Sequence, residues 1–312
     1  MAVRLPLAEY RFVFRAIDAV TVPALADPLW YSVFGLALRQ LSCTDNRRSC
    51  LECPLRFRCD FAFLIRGMHQ PGEKNGITRQ MHTIPTPLIF HSRVQDAATT
   101  FPEGAMFSAR ILLVGDASNR LTSVVRAMVL AGNLGLGRKR SRFTLVEVLQ
   151  SGPDRPERLV MSGGRMLANP MPGRTVVPPP PRIFRLLFDT PYLLPASTDL
   201  REGFDGARML MQVVRRISAL HEPYTGLPLE ADFGRLKRLA AAASFLDGDL
   251  QAEEKYSYAG NRKYFLAIRG WFSMSLSGLQ DFWPWLYIGQ WLHVPKQASK
   301  GFGRYRLQVL DA

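Results

Sequence analysis

The sequence predicts an α+β protein made of two related domains, and three observations support this. A glycine turn with a basic residue occurs twice before an alternating apolar run: Gly135-Leu136-Gly137-Arg138 precedes residues 143–148, and Gly301-Phe302-Gly303-Arg304 precedes residues 305–310. An amphipathic stretch comes before each turn, so the repeated unit is strand, helix, glycine turn and strand. The chain has 312 residues and 47% hydrophobic content, which is enough for two domains.

In the first half, the predicted elements follow the order β-α-β-β-α-β. An alternating run at Tyr10–Asp18 predicts a strand. Asp27-Pro28 supplies an N-cap and a first-turn proline for a helix that ends near Leu41. Strands at Pro87–Arg93 and Met106–Val114 come next, followed by a second amphipathic helix and the first glycine turn. This order is typical of the ferredoxin-like fold, whose four-stranded antiparallel sheet leaves one face open to a partner.

The second half repeats this order after a run of four prolines, Pro178–Pro181. Such a run continues neither a helix nor a central strand, so we predict domains at residues 1–180 and 181–312. The pattern predicts a strand at Arg182–Leu193, a helix capped by Asp205, a hairpin turning at Arg269-Gly270, and a Trp-rich helix at about Asp281–Leu292. Residues 223–261 are Ala-rich and charged, which we interpret as a helical excursion or loop.

The charge indicates a polyanionic partner. Forty Lys and Arg residues against 26 Asp and Glu residues give a net charge of +14 and a pI of about 10.1, which favours nucleic acid. No run approaches the ~18 apolar residues of a spanning helix, so no membrane partner is expected. The start of the sequence lacks a signal-peptide pattern, so we expect a cytoplasmic, reducing location.

All four cysteines lie in one arginine-rich segment, part of a predicted insertion at residues 43–66 of the first domain. They are Cys43, Cys50, Cys53 and Cys59. Because thiolates are soft ligands and a reducing compartment disfavours disulfides, the clustering predicts a metal site. Structural Zn²⁺ is the first choice and an iron–sulfur cluster the alternative. The competing interpretation is a set of reduced, buried thiols.

Several segments, in order along most of the chain, carry a resemblance to a known family. They are Ser277-Gly278 through Leu292–Lys296, Gly301–Tyr305, Gly135–Arg138 with Phe143, the pair Arg215-Arg216, and the cysteine cluster with Phe61 and Phe63 behind it. Together they resemble the CRISPR-associated RAMP endoribonucleases that cut precursor crRNA, the sixth Cas family. The resemblance implies two RAMP-type, RRM-like domains and an enzyme that cuts CRISPR repeat RNA by 2′-hydroxyl attack. It further implies that cleavage needs no metal and that the enzyme retains its product.

The two glycine turns are the expected RNA-binding elements, because basic side chains beside bare backbone amides can hold phosphate. The candidate residues are Arg138, Lys139, Arg140, Arg142, Arg215, Arg216, Lys300, Gly301, Gly303 and Arg304. The alternative for each basic cluster is a solvated surface with nothing bound. In the loop at residues 295–304, Pro295 stands where the family usually has glycine and removes an amide donor, so phosphate contact relies more on basic side chains. We expect Phe302 in the core and leave Tyr305 as either core or a base-stacking residue.

Histidine is the natural proton donor or acceptor near neutral pH. By the family's His-Val-x-Lys pattern, His293 is a catalytic candidate, and Lys296 would supply a cation. His69 and His82 follow the cysteine segment and could fold back toward the first helix, where family enzymes often carry their histidine. If the predicted hairpin faces the cleft, it adds Tyr264 and Lys263 as possible assistants.

Two other functions fit part of the pattern. The stretch Asp27–Leu41 contains no histidine, which would suit a non-catalytic crRNA-binding subunit that works with other Cas effector subunits. A zinc-dependent DNA-binding protein would explain the cysteines and the charge, but it would leave the internal repeat unexplained.

Overall fold

The computed structural model describes residues 4–45, 49–69, 84–152, 155–194, 204–257 and 264–310. These residues divide into two compact units. Unit N contains Arg4–Thr175 together with Ala219–Pro228, and unit C contains Val176–Ser218 together with Leu229–Ala312. None of the described helices is long and apolar enough to cross a membrane.

Unit N is built on an antiparallel sheet with the strand order β3-β5-β1-β6-β7-β8, in which β9 also pairs with β1. These strands are β1 (Pro6–Ala16), β3 (Leu88–Phe90), β5 (Met106–Val114), β6 (Phe143–Gly152), β7 (Arg155–Ser162), β8 (Arg165–Met166) and β9 (Gly173–Arg174). A separate pair joins β2 (Val20–Val22) to β4 (Thr99–Phe101). The alternation that predicted β1 places Tyr10, Phe12 and Phe14 in the core, because alternate strand residues point to the same face.

The helices of unit N are α1 (Asp27–Ser42), α2 (Asp60–Arg66) and α3 (Leu121–Leu134). The core joins α1 to the sheet through an aromatic cluster: the Trp30 ring lies 5.1 Å from Phe14 and 5.4 Å from Phe143 between centroids. Asp27 does not cap α1 as predicted. The N-cap residue is Ala26, and the buried Asp27 carboxylate accepts a hydrogen bond from the Ser92 backbone N–H instead.

Unit C contains four strands in the order β11-β12-β10-β13, all antiparallel. They are β10 (Ile183–Leu193), β11 (Phe245–Ser257), β12 (Tyr264–Ser275) and β13 (Tyr305–Val309). The helices are α4 (Gly206–Thr225), whose last turns belong to unit N, α5 (Phe233–Ala241) and α6 (Trp283–Leu292). The predicted cap of α4 is confirmed, since Asp205 Oδ1 accepts from the Arg208 backbone N–H at 2.8 Å.

The two units share one strand order. When the strands β1, β3, β5 and β6 of unit N are numbered 1 to 4 along the chain, they lie in the order 2-3-1-4. The four strands of unit C follow the same order. The protein is therefore a mixed α/β structure with several antiparallel sheets, as the sequence indicates.

The predicted hairpin at Arg269-Gly270 is wrong, because β12 continues through both residues. Gly270 has φ +108°, and a Cβ at this position would lie 1.9 Å from the Asp249 carbonyl oxygen. The glycine therefore permits a close approach of β11 rather than a turn. The true hairpin is formed by β11 and β12, so part of the segment interpreted as a helix or loop is a strand.

Candidate nucleic-acid interface and active-site residues

The first glycine turn is a closed loop at the end of α3. Leu136 and Ser141 exchange two backbone hydrogen bonds of 2.8 and 3.1 Å. Gly135 has φ +79°, and a Cβ there would lie 2.1 Å from the Arg140 carbonyl oxygen, whereas Gly137 faces open space. The tight closure projects the intervening residues into solvent.

The tip of this turn carries three exposed basic side chains, those of Arg138, Lys139 and Arg140. Arg142 is different because Asp18 holds it: the Arg142 backbone N–H donates to Asp18 Oδ2 at 2.8 Å, and Arg142 Nε donates to the same oxygen at 3.2 Å. The hydrogen bond from the Arg142 backbone, followed by that from its side chain, lowers the pKa of the Asp18 carboxyl. Of the four basic residues predicted here, three are exposed and form no ion pair with any residue that the structure describes.

The second glycine loop uses its backbone amides internally. Val294 N–H donates to the Gly303 carbonyl at 3.0 Å, Gly303 N–H to the Pro191 carbonyl at 2.9 Å, and Arg304 N–H to Thr190 Oγ1 at 2.8 Å. A Cβ on Gly303 would lie 1.4 Å from the Val294 carbonyl oxygen. Contrary to the expectation of bare amides, these groups are not available to a phosphate, and the glycine serves close packing.

This loop encloses the histidine that the family pattern favours. His293 is 0% exposed, and its Nδ1 lies 3.2 Å from the Ala298 carbonyl oxygen, so the ring ties the end of α6 to the loop. Lys296 is exposed and Lys300 is half-buried. Arg304 is 9% exposed, with its Nε 3.8 Å from Asp189 Oδ2. In this arrangement Lys296 is the basic residue of the loop that solvent reaches most freely.

Two further predictions concern aromatic and helical residues of unit C. Phe302 lies in the core, as expected. Tyr305 is also buried, and its hydroxyl donates to the Leu286 carbonyl at 2.7 Å, so it is a core residue rather than a base-stacking one. Arg215 is exposed, whereas Arg216 Nε donates to the Leu292 carbonyl at 3.2 Å at the end of α6.

The four cysteines are free, partly exposed thiols. Cys43 Sγ lies 3.4 Å from the Asp45 carbonyl oxygen, and Cys59 Sγ lies 3.8 Å from the Ser42 carbonyl oxygen. Nowhere in the described part of the chain do three Cys, His, Asp or Glu side chains gather as metal ligands would. The arrangement thus shows neither the predicted cluster nor the buried thiols of the alternative.

His69 lies at a cavity of about 640 Å³ in unit N. Its ring centroid is 6.1 Å from that of Phe63 and 5.8 Å from that of Tyr224. Of the other catalytic candidates, His82, Lys263 and the side chain of Tyr264 lie outside the described residues. No sequence pattern indicated this cavity, because its described lining comes from two segments that are distant in the chain, residues 57–69 and 116–123.

The polar centre of this cavity is a three-residue network. Arg120 donates to one oxygen of the Asp60 carboxylate, and the Ser123 hydroxyl donates to the other. The Arg120 guanidinium also lies 4.5 Å from the centroid of the Phe63 ring. The network fixes the first turns of α2 and α3 against each other beside His69.

Two family models match the chain. One, described as CRISPR-associated endoribonuclease Cas6, covers residues 186–305. The other, the AF_1859_N model, is described as an N-terminal domain and covers residues 5–172, more than half of the chain. A comparison with curated proteins finds no match.

Solved structures share the fold across nearly the whole chain. The "Cas6 (TTHB231) product complex", whose protein is from Thermus thermophilus, is 13% identical with a TM-score of 0.53, covering 97% of this chain and 99% of that chain. The "Cas6 (TTHA0078) product complex" is 16% identical with a TM-score of 0.51 and the same two coverages. A third, "Partial Cas6-RT-Cas1--Cas2 complex", is 10% identical with a TM-score of 0.53, covering 99% of this chain and 47% of that chain. At these identities the likeness concerns the fold.

Proposed function

We propose that this chain, whose residues 186–305 match the model of the CRISPR-associated endoribonuclease Cas6, acts as a Cas6-type enzyme that cuts CRISPR repeat RNA to release crRNA. The observation that carries the proposal is the endoribonuclease match at residues 186–305, which runs from β10 to the start of β13 and includes the second glycine loop. We further propose that cleavage needs no metal and that the protein keeps its product bound.

The proposed architecture is a tandem of ferredoxin-like domains. It is supported by the strand order 2-3-1-4, found in each unit with a helix after the first strand and another after the third. Unit N extends this plan with β7, β8 and β9, and unit C adds α5. These additions lie outside the repeated elements and leave the glycine turns at corresponding positions.

The proposed partner is the repeat RNA, held mainly by side chains. The net charge of +14 attracts a polyanion, and the exposed tip residues Arg138, Lys139 and Arg140 with Lys296 would contact phosphates. Solved relatives are product complexes, and one lies in an assembly with Cas1 and Cas2. We therefore also propose that this protein can associate with other Cas proteins.

For the chemistry, we propose His69 as the proton-transfer group. The ribose 2′-oxygen loses its proton and attacks the adjacent phosphorus, the bond from phosphorus to the 5′-oxygen breaks, and that oxygen takes up a proton. His69 lines an open cavity where an RNA could reach it, whereas His293 is enclosed. His82 stays a candidate because of its place in the sequence.

A cleavage assay tests the proposal. Purified protein is incubated with 5′-labelled repeat RNA in EDTA, and we expect one cut at the 3′ base of the hairpin, leaving a 2′,3′-cyclic phosphate and a 5′-hydroxyl. His69→Ala should slow cutting by about 10²–10⁴-fold with binding unchanged. The control is His91→Gln, since His91 faces Glu9 on the sheet at 3.5 Å. Cutting that stops in EDTA would contradict metal independence.

A non-catalytic crRNA-binding subunit is the second candidate, favoured by the enclosed His293 and by the lack of histidine in α1. The same assay separates the two functions. If the wild-type protein binds the repeat RNA tightly but does not cut it in any buffer, the result would support the non-catalytic subunit. It would contradict the proposal that the protein is an endoribonuclease.

We retain structural zinc as a proposal for Cys43, Cys50, Cys53 and Cys59, with an iron–sulfur cluster as the alternative. Its support is the concentration of every cysteine in one polar segment, and the described positions would have to rearrange to form a four-sulfur site. Elemental analysis of the purified protein should find about one zinc per chain, lowered by Cys53→Ser. A metal-free wild-type protein with full stability would remove this proposal.

A further inference from the structure

The cavity beside His69 has properties that the cleavage proposal alone does not use. Its volume of about 640 Å³ falls within the range of ligand pockets, about 300–1,000 Å³. Besides His69 it is lined by Phe57, Asp60, Phe63, Asp116, Asn119, Arg120, Thr122 and Ser123. All of these described lining residues belong to unit N.

The cavity contains an ion pair whose charges compensate each other, beside the aromatic side chain of Phe63. Asp60 takes both the Arg120 guanidinium and the Ser123 hydroxyl, which uses both carboxylate oxygens. The Arg120 guanidinium also covers the ring of Phe63. Phe63 is itself buried under this guanidinium, so a ligand meets the half-buried Phe57 and a compensated arginine, rather than an unpaired cation.

Three polar side chains at the rim of the lining are exposed and can form hydrogen bonds with a ligand. The side chains of Asp116, Asn119 and Thr122 are exposed and bond to no other described residue. Gly115 positions this rim: its φ is +55°, and a Cβ there would lie 1.9 Å from the Tyr224 carbonyl oxygen. The turn that carries Asp116 and Asn119 is thereby packed closely on the end of α4.

The charge of the lining decides which part of an RNA the cavity suits. Among the described lining residues, the two carboxylates of Asp60 and Asp116 stand against the one guanidinium of Arg120. Because Arg120 is already paired with Asp60, the lining offers a phosphate no uncompensated guanidinium. An unpaired base is neutral, stacks on aromatic side chains, and is recognised by hydrogen bonds to its Watson–Crick edge.

We propose that this cavity binds an unpaired guanine of the RNA, with Asp116 and Asn119 at the base edge. Guanine presents two adjacent N–H donors on its Watson–Crick edge, which match the two oxygens of one carboxylate, whereas adenine and cytosine present a single amino group there. This inference rests on the proposed function, because that function supplies the RNA ligand. It adds that Asp116 and Asn119 select the base that is bound beside His69. A guanine held here fixes one nucleotide next to His69.

Direct binding tests this inference without requiring cleavage. Four fluorescein-labelled hexanucleotides, identical uridine chains except for guanine, adenine, cytosine or uracil at one central position, are titrated by fluorescence anisotropy. Wild-type protein should bind the guanine RNA about tenfold more tightly than the other three, because a good paired hydrogen bond discriminates bases by about that factor or more. Asp116→Asn should bring the four RNAs within about twofold of one another.

The matched control is Asp96→Asn, which removes the same charge from an exposed position of unit N outside the cavity. It should keep the guanine preference. Asn119→Ala should weaken guanine binding selectively and leave the all-uridine RNA unchanged. Equal binding of the four RNAs by wild-type protein, or a preference that Asp116→Asn leaves intact, overturns the inference. Cleavage of repeat RNA by that same protein would leave the proposed function standing.

Discussion

Gly303 and Gly278 have the same left-handed backbone but different surroundings. Their φ values are +70° and +74°. A Cβ on Gly303 would overlap the Val294 carbonyl, whereas nothing lies within 4 Å of one on Gly278. The pair therefore separates two reasons for glycine: an unfavourable φ for other residues, and the space that a neighbouring backbone needs.

We expect Gly278→Ala to cost about 1–2 kcal/mol, the penalty of a left-handed alanine. Gly303→Ala should cost more than about 3 kcal/mol, because the Val294 carbonyl must move and the hydrogen bond from Val294 to Gly303 is lost. Denaturant unfolding of both variants measures the difference. Equal losses would show that the loop yields to the added methyl group.

His221 makes stability depend on pH at the scale of one side chain. It is 4% exposed, with Nδ1 3.2 Å from the Leu227 carbonyl oxygen, and burial lowers the pKa of its imidazole. Because the folded state binds the proton less readily than the unfolded state, His221 contributes stability above its ordinary pKa of about 6.5. That contribution is lost as the pH falls through the lowered pKa.

His221→Gln should flatten this dependence, because glutamine keeps a donor for Leu227 and does not titrate. The midpoint of thermal unfolding, measured from pH 8 to pH 5, should fall less steeply for the variant than for the wild-type protein. Parallel curves for the two proteins would assign the acid sensitivity to other groups, such as Glu157, whose pKa is lowered chiefly by its hydrogen bond from Arg11.

At the scale of elements, the sequence predicted the strands that have a clear pattern of apolar residues. It missed a strand that lacks such a pattern. The run at Met106–Val114 forms β5 with the predicted bounds. Buried residues recur along this whole strand, so its apolar pattern is clear in the sequence. The missed strand β11 is an edge strand that carries the exposed residues Asp247 and Asp249, so its pattern resembles a solvated loop. This segment becomes a strand because it pairs with β12, and the local sequence of β11 does not indicate that pairing.

The first glycine turn yields an element-scale prediction about salt. RNA affinity should fall with salt by about 0.7 log units per log unit for each single-strand phosphate contacted. Alanine at Arg138, Lys139 or Arg140 should each reduce that slope by about 0.7. Arg142→Ala, whose side chain is held by Asp18, should change it least. Identical slopes for all four variants would place the RNA elsewhere.

For the whole molecule, the repeated strand order could be inferred from the order of patterns, but the burial of site residues could not. His293 matched a motif, yet its enclosure depends on how Gly303 and Ala298 pack around it. The cavity at His69 could not be predicted either, because it also depends on contacts between distant segments. In the sequence, Asp60 and Arg120 resemble ordinary surface charges, and only the fold brings α2 and the start of α3 together. The basic cluster at the first glycine turn could be predicted more easily. Its side chains are exposed, so their position does not depend on contacts with distant parts of the chain.

The length of α3 has a consequence for the size of RNA that the protein can handle. The helix begins at the guanine cavity and ends at the first glycine turn, and its 14 residues extend for about 21 Å. An oligonucleotide too short to cover this span would occupy one end or the other, never both. Affinity measured against chain length should therefore rise in two stages, and the second stage should vanish with Asp116→Asn.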